Sequence, residues 1–182
     1  DAAGLSFRDF LKGELSVLPG ELPRLSDWTD HLSTAFPEVR LKSFLEMRGA
    51  DGGPWGRICA LPAFWVGLLY DQGALDAAWD LVKDWDMEGR EALRSAAPKL
   101  GLDSPIPGGG TLRDIAAQVV DISRQGLAAR GKLNASGENE TGYLEPLAEI
   151  VKTGKVPAQR LLDLYNGEWA GDLSRIYAVK SF

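Results

Sequence analysis

Between Glu38 and Arg48 the chain reads EVRLKSFLEMR, and Arg40, Lys42, Glu46 and Arg48 recur at even positions with Phe44 among them. In extended chain successive side chains point to opposite faces, so this spacing gathers three cations on one side with Glu46 among them and Glu38 at the start of the segment. Val39, Leu41, Ser43, Leu45 and Met47 fall on the other. A polar strand face usually serves solubility alone. Solvated faces, however, mix signs freely, and Arg40, Lys42 and Arg48 gathered around Glu46 suit an anionic ligand, either a phosphate chain or a substrate carboxylate. Glu46 among them is a candidate Mg2+ ligand, because Mg2+ takes one or two carboxylates and completes its octahedron with water and phosphate oxygens. The following loop, Gly49-Ala50-Asp51-Gly52-Gly53-Pro54, adds an acid among glycines that let backbone approach a ligand closely.

Other routes to chemistry have less support. There is no G-x-x-x-x-G-K-[ST] and no G-x-G-x-x-G, so neither a P-loop nor a Rossmann site is indicated. Gly108-Gly109-Gly110 before Thr111 reads as a flexible linker rather than an anion cradle. His31 is the one histidine and is given no role; Cys59, the one cysteine, reads as a buried small hydrophobe rather than a nucleophile. Trp55 and Trp65 read as core before ligand platforms.

Several elements must position the candidate residues. Ser6-Phe7-Arg8-Asp9 has capping-box spacing and opens a short helix, and Ser26 is the expected N-cap of a second, from Asp27 to about Phe36, stopped by Pro37. Alternation then predicts one strand over 38–48. Helical spacing follows over Ile58 to Tyr70, Ala74 to Trp85 and Met87 to Ala97, the last ending before Pro98 or Gly101. DSPIPGGG at 103–110 is a connector, and Thr111 with Asp114 opens a long helix ending near Gly131. Residues 134–142, NASGENETG, are disorder-like in composition, and two helices follow over Tyr143 to Thr153 and Ala158 to Asn166.

Composition bounds the reading. With 182 residues, 45% hydrophobic and 25% charged, the chain suits one globular domain or a large part of one. A net charge of -6 argues against a nucleic-acid or anionic-membrane surface. The longest apolar segment, Ile58 to Tyr70, is too short to cross a bilayer, and DAAGLSFRDF lacks the pattern of a secretory signal. One thiol cannot form an intrachain disulfide, so the cytoplasm is the expected location.

The blocks His31-Leu32-Ser33-Thr34, Phe36-Pro37-Glu38-Val39-Arg40-Leu41-Lys42, Leu45 to Trp55 and Ala60 to Asp71, with Pro157-Ala158 and Tyr165-Asn166-Gly167-Glu168-Trp169 later, resemble the plant-type glutamate-cysteine ligase family. The resemblance implies an α+β, glutamine-synthetase-like carboxylate-amine ligase fold, mainly helical here, with the 38–48 strand in a central antiparallel sheet. Residues 1–182 would be the carboxyl-terminal part of the catalytic domain, without its amino-terminal part and inactive in isolation. It further implies ATP-dependent ligation of the L-glutamate γ-carboxylate to the amine of L-cysteine through an acyl phosphate, the first step of glutathione biosynthesis. Glu46 matches the family's Mg2+-ligating acid and Arg48 the arginine that stabilises the transferring phosphoryl group; Arg40 and Lys42 are assigned to nucleotide phosphates or a substrate carboxylate by their shared face. Expected partners are L-glutamate, L-cysteine, ATP and the amino-terminal part of the same enzyme, with no nucleic acid and no membrane; a homodimer is left open. Competing readings are a non-catalytic helical interaction or regulatory module, which the intact Glu46, Arg48 and Asp51 weigh against, and a related ligase using another amine.

Overall fold

A computed structural model describes residue 2, residues 4–34 and residues 36–179. The chain divides into two units, residues 1–50 and 51–182.

In the first unit the Ser6 hydroxyl accepts from the Arg8 N–H and starts α1 (Phe7–Leu11) as its spacing predicts. Helix α2 runs over Leu25–Ser33, two residues earlier than expected, because the Asp27 carboxylate and not Ser26 makes the cap: it accepts from the Arg24 N–H at 2.6 Å. The helix also stops short of Phe36. A residue before proline is pushed out of the α region, and Phe36 precedes Pro37. Ala35, within the expected helix, lies outside the described residues. His31 stacks on Phe7 with ring centroids 4.5 Å apart, and Trp28 lies 5.2 Å from the same ring, so the histidine serves an aromatic cluster.

The segment expected as one strand is a hairpin. β1 (Val39–Leu41) pairs antiparallel with β2 (Leu45–Met47) in the register Val39 to Met47, Arg40 to Glu46 and Leu41 to Leu45. The Lys42 N–H donates to the Phe44 carbonyl at 2.8 Å across the turn, and the Arg48 N–H donates to the Glu38 carbonyl at 2.8 Å at the open end. Even-numbered residues pair with even-numbered ones in this register, so the two-faced alternation survives the turn intact.

The second unit is helical. α3 (Trp55–Leu69) and α4 (Gln72–Val82) meet at 92°, with the Asp71 carboxylate capping α4 by accepting from the Ala74 N–H at 2.9 Å. α5 (Met87–Leu100) carries Pro98 in its last turn and ends at Gly101, the later of the two expected stops. The Gly-rich segment before Thr111 is an ordered loop rather than a flexible linker. Pro105 bridges Thr111, the Ile106 N–H donates to the Gly110 carbonyl, and Gly108 to Gly110 all have φ between 85° and 99°, a region only glycine adopts freely.

α6 (Leu112–Arg130) begins at the expected capping box of Thr111 and Asp114 and ends at Gly131 with φ 61°. Residues 134–142 are ordered despite their composition: the Asn134 side-chain oxygen accepts from the N–H groups of Ser136 and Glu138, both at 2.9 Å, and Asn139 caps the 3-10 turn Glu140–Leu144. α7 (Glu145–Thr153), α8 (Pro157–Asn166) and α9 (Arg175–Val179) complete the chain. Arg113 fastens α7 to α6, its Nε donating to the Val151 carbonyl at 2.7 Å and its Nη2 to the Lys152 carbonyl.

Small residues set the packing of α3 on α6. A Cβ on Gly67 would lie 2.2 Å from the Ser123 carbonyl oxygen, and one on Gly126 would lie 1.9 Å from that of Gly67. The two backbones are therefore in direct contact, with the Ser123 hydroxyl donating to the Phe64 carbonyl at 2.9 Å and Ala63, Leu127 and Leu144 buried beside them. Among the described residues no single helix is long and apolar enough to cross a membrane.

Candidate functional site

The hairpin brings together all four residues that spacing singled out. Arg40 and Glu46 are direct cross-strand partners, and Arg40 Nη2 stands 2.7 Å from Glu46 Oε2. Arg48 Nε is 3.7 Å from the same oxygen, and Lys42 Nζ, carried over by the turn, is 4.0 Å from Oε1. One carboxylate, Glu46, thus sits among three cations, with Glu38 at the open end of the hairpin opposite Arg48. All four side chains are part-exposed, and ion pairs in that setting contribute about 0–1 kcal/mol each. Fold stability is a weak reason for such a gathering.

Two features leave the cluster open to a ligand. Arg40 Nε is enclosed and makes no hydrogen bond, so the constellation holds unused donor capacity, while Glu46 Oε2 is engaged by the Arg40 guanidinium. The cations also lie against aromatic rings, Lys42 Nζ 5.9 Å from the centre of Phe44 and the Arg48 guanidinium 5.0 Å from that of Phe36. Phe36 is the residue that sequence reasoning missed. Read as the end of a helix, it instead precedes the strand and flanks the arginine; the proline after it was the available signal.

Donor chemistry bears on which ions fit. Among the described residues no three His, Cys, Asp or Glu side chains lie close enough to hold a metal. Glu46 is a single hard-oxygen donor, which fits Mg2+ when phosphate oxygens and water supply the other ligands, and its three cationic neighbours suit those phosphates. Asp51, singled out with the loop, belongs to the second unit. Two further expectations are corrected there. Trp55 is exposed rather than core, because it opens α3 ahead of the small residues that face α6, and Cys59 is half-buried on a cavity wall rather than fully enclosed.

Comparison with known proteins sharpens the picture. The family model described as glutamate-cysteine ligase family 2 matches residues 8–179. The chain is 52% identical over 177 residues to the chloroplastic glutamate–cysteine ligase of Solanum lycopersicum, covering 97% of this chain and 32% of that protein. It is 50% identical to the chloroplastic enzyme of Arabidopsis thaliana, with 97% and 33% covered, and 49% identical to chloroplastic ligase A of Oryza sativa subsp. indica, with 97% and 35% covered. The chain therefore spans about a third of the length of the curated relatives it matches. These same relatives overturn the cytoplasmic expectation, since they are chloroplastic. A single thiol, which can form no intrachain disulfide, does not separate one reducing compartment from another.

Proposed function

The chain belongs to glutamate-cysteine ligase family 2, and from that we propose that it supplies part of the site in which ATP drives the joining of L-glutamate to L-cysteine. In the reaction the γ-carboxylate oxygen of glutamate attacks the γ-phosphorus of ATP, ADP departs, and an acyl phosphate forms. The cysteine amine then attacks the acyl carbon, inorganic phosphate leaves with its bonding pair, the amine gives up a proton, and γ-glutamylcysteine results.

Phosphoryl transfer asks mainly for positioning and charge neutralisation from the protein. Arg48 is the best-placed group for the transferring phosphoryl: its planar fork meets phosphate oxygens in pairs, and its side chain is the least exposed of the three cations. Arg40 and Lys42 neutralise the nucleotide phosphates or a substrate carboxylate. Glu46 would hold Mg2+, which would supply charge neutralisation at the phosphate oxygens. The carboxylate also lies within 4.0 Å of Arg40, Lys42 and Arg48 and turns them toward one point.

The observation that carries this reading is the convergence of three cations on Glu46 across a hairpin. It is tested by titrating Mg2+ against γ-glutamylcysteine formation in the full-length enzyme with Glu46→Gln. The reading expects the half-saturating Mg2+ concentration to rise about tenfold or more, as for loss of a charged metal ligand. An unchanged Mg2+ requirement would remove Glu46 from the site.

A further inference from the structure

Within the second unit a cavity of about 300 Å³ lies between α3, α6 and the 3-10 turn before α7, lined by Cys59, Pro62, Ala63, Val66, Leu127, Arg130, Glu140 and Tyr143. Its floor is apolar: Pro62, Ala63 and Val66 come from one face of α3 and Leu127 from α6. Its polar groups are few and gathered. Arg130, in the last turn of α6, faces Glu140, and Tyr143 lines the same cavity. A cavity of this size with an apolar floor and a few convergent polar groups has the make-up of a small-molecule site.

The charged pair is slack. Arg130 Nε and Glu140 Oε2 are 3.8 Å apart, both enclosed, and neither makes a hydrogen bond. Enclosed polar groups are normally satisfied, and a guanidinium and carboxylate free to close would do so at about 2.8 Å. The guanidinium is instead drawn to the ring of Tyr70, 5.4 Å from its centre. The pair thus presents an adjacent positive and negative group, neither saturated by the other, above an apolar floor.

We propose that this cavity binds an apolar α-amino acid. A ligand carrying only an anion would meet Glu140, one carrying only a cation would meet Arg130, and an uncharged one would leave both unsatisfied. An α-amino acid carries both charges on one carbon. Its carboxylate accepts from the Arg130 guanidinium, its ammonium donates to the Glu140 carboxylate, and its side chain lies on Pro62, Ala63, Val66 and Leu127. Nothing in the proposal rests on the ligase reading, and its test reads binding rather than turnover.

The test is calorimetric titration of the full-length protein with L-leucine, which is neither proposed substrate, and with its two half-analogues, 4-methylpentanoate and 3-methylbutylamine. Saturable binding of L-leucine is expected, with each half-analogue at least about tenfold weaker for the loss of one charge-assisted contact. Arg130→Gln and Glu140→Gln, checked for unchanged melting, should each weaken L-leucine by a similar factor. Arg130→Gln should also erase the advantage of L-leucine over the amine. The analogue series on the unaltered protein decides the matter even where a variant fails to fold. No saturable heat with L-leucine, half-analogues that bind as well as it does, or folded variants that bind it unchanged would each overturn the proposal.

Discussion

Arg48 and Lys42 belong to the same cluster but are predicted to fail differently when altered. Arg48 meets Glu46 from the neighbouring position on its strand face and rests on Phe36, whereas Lys42 sits at the turn, is more exposed and reaches Glu46 at only 4.0 Å. A phosphate contact made by a mobile ammonium serves binding, so Lys42→Ala is expected to raise the KM for ATP severalfold with kcat nearly kept, measured by steady-state kinetics over a range of salt. Arg48→Lys keeps the charge and loses the planar fork, and kcat should still fall about tenfold or more. That these residues share one face was legible from spacing alone, because alternation places Arg40, Lys42, Glu46 and Arg48 together whether the segment is straight or folded. Their mutual geometry was not legible: nothing in the letters says that Glu46 sits opposite Arg40 rather than further along a single strand.

At the scale of elements, caps and glycines carry the testable consequences. Thr111→Ala removes the α6 cap and should cost about 0.5–2 kcal/mol, read by thermal or denaturant unfolding. The same cap sets a pH dependence. Hydrogen bonds from the Thr111 side chain and backbone hold the Asp114 carboxyl below its ordinary 3.8, as Lys155 and Gln159 do for Asp163 and Ser174 does for Asp172. A carboxyl whose folded pKa is depressed adds stability that is complete above the unfolded value and is lost as pH falls through the folded one. Acid unfolding followed by circular dichroism should therefore begin below about pH 4 and shift to higher pH with Asp114→Asn. Gly126→Ala drives a Cβ into the Gly67 carbonyl and is expected to destabilise by about 1–3 kcal/mol or more, whereas Gly108→Ser, where a Cβ meets nothing, costs only backbone strain. The helices were legible because Ser6, Thr111, Gly131 and the 3.6-residue period mark them. The hairpin was missed because its turn, Lys42-Ser43-Phe44, contains no Gly, Pro, Asn or Asp. The order of residues 134–142 was missed because Asn134 and Asn139 organise it through side-chain oxygens that composition does not reveal.

For the whole molecule, the determining fact is that the chain spans about a third of its curated relatives. The hairpin's second face stays uncovered, with Leu41 79% and Leu45 58% exposed, and a two-stranded ribbon is marginal by itself. The chain expressed alone is therefore expected to give no γ-glutamylcysteine with ATP, Mg2+, glutamate and cysteine; product from the purified chain alone would contradict that. Family membership was legible from the motif blocks, but location was not, since composition constrains redox setting and not address. The central claim is that the cluster around Glu46 handles the phosphoryl group, and the most direct measurement is kcat for γ-glutamylcysteine formation in the full-length enzyme with Arg48→Ala at saturating substrates. A fall of about 10²–10³-fold with unchanged melting is predicted, the loss expected when one preorganised charge is taken from a transition state; full kcat in the folded variant would contradict the account.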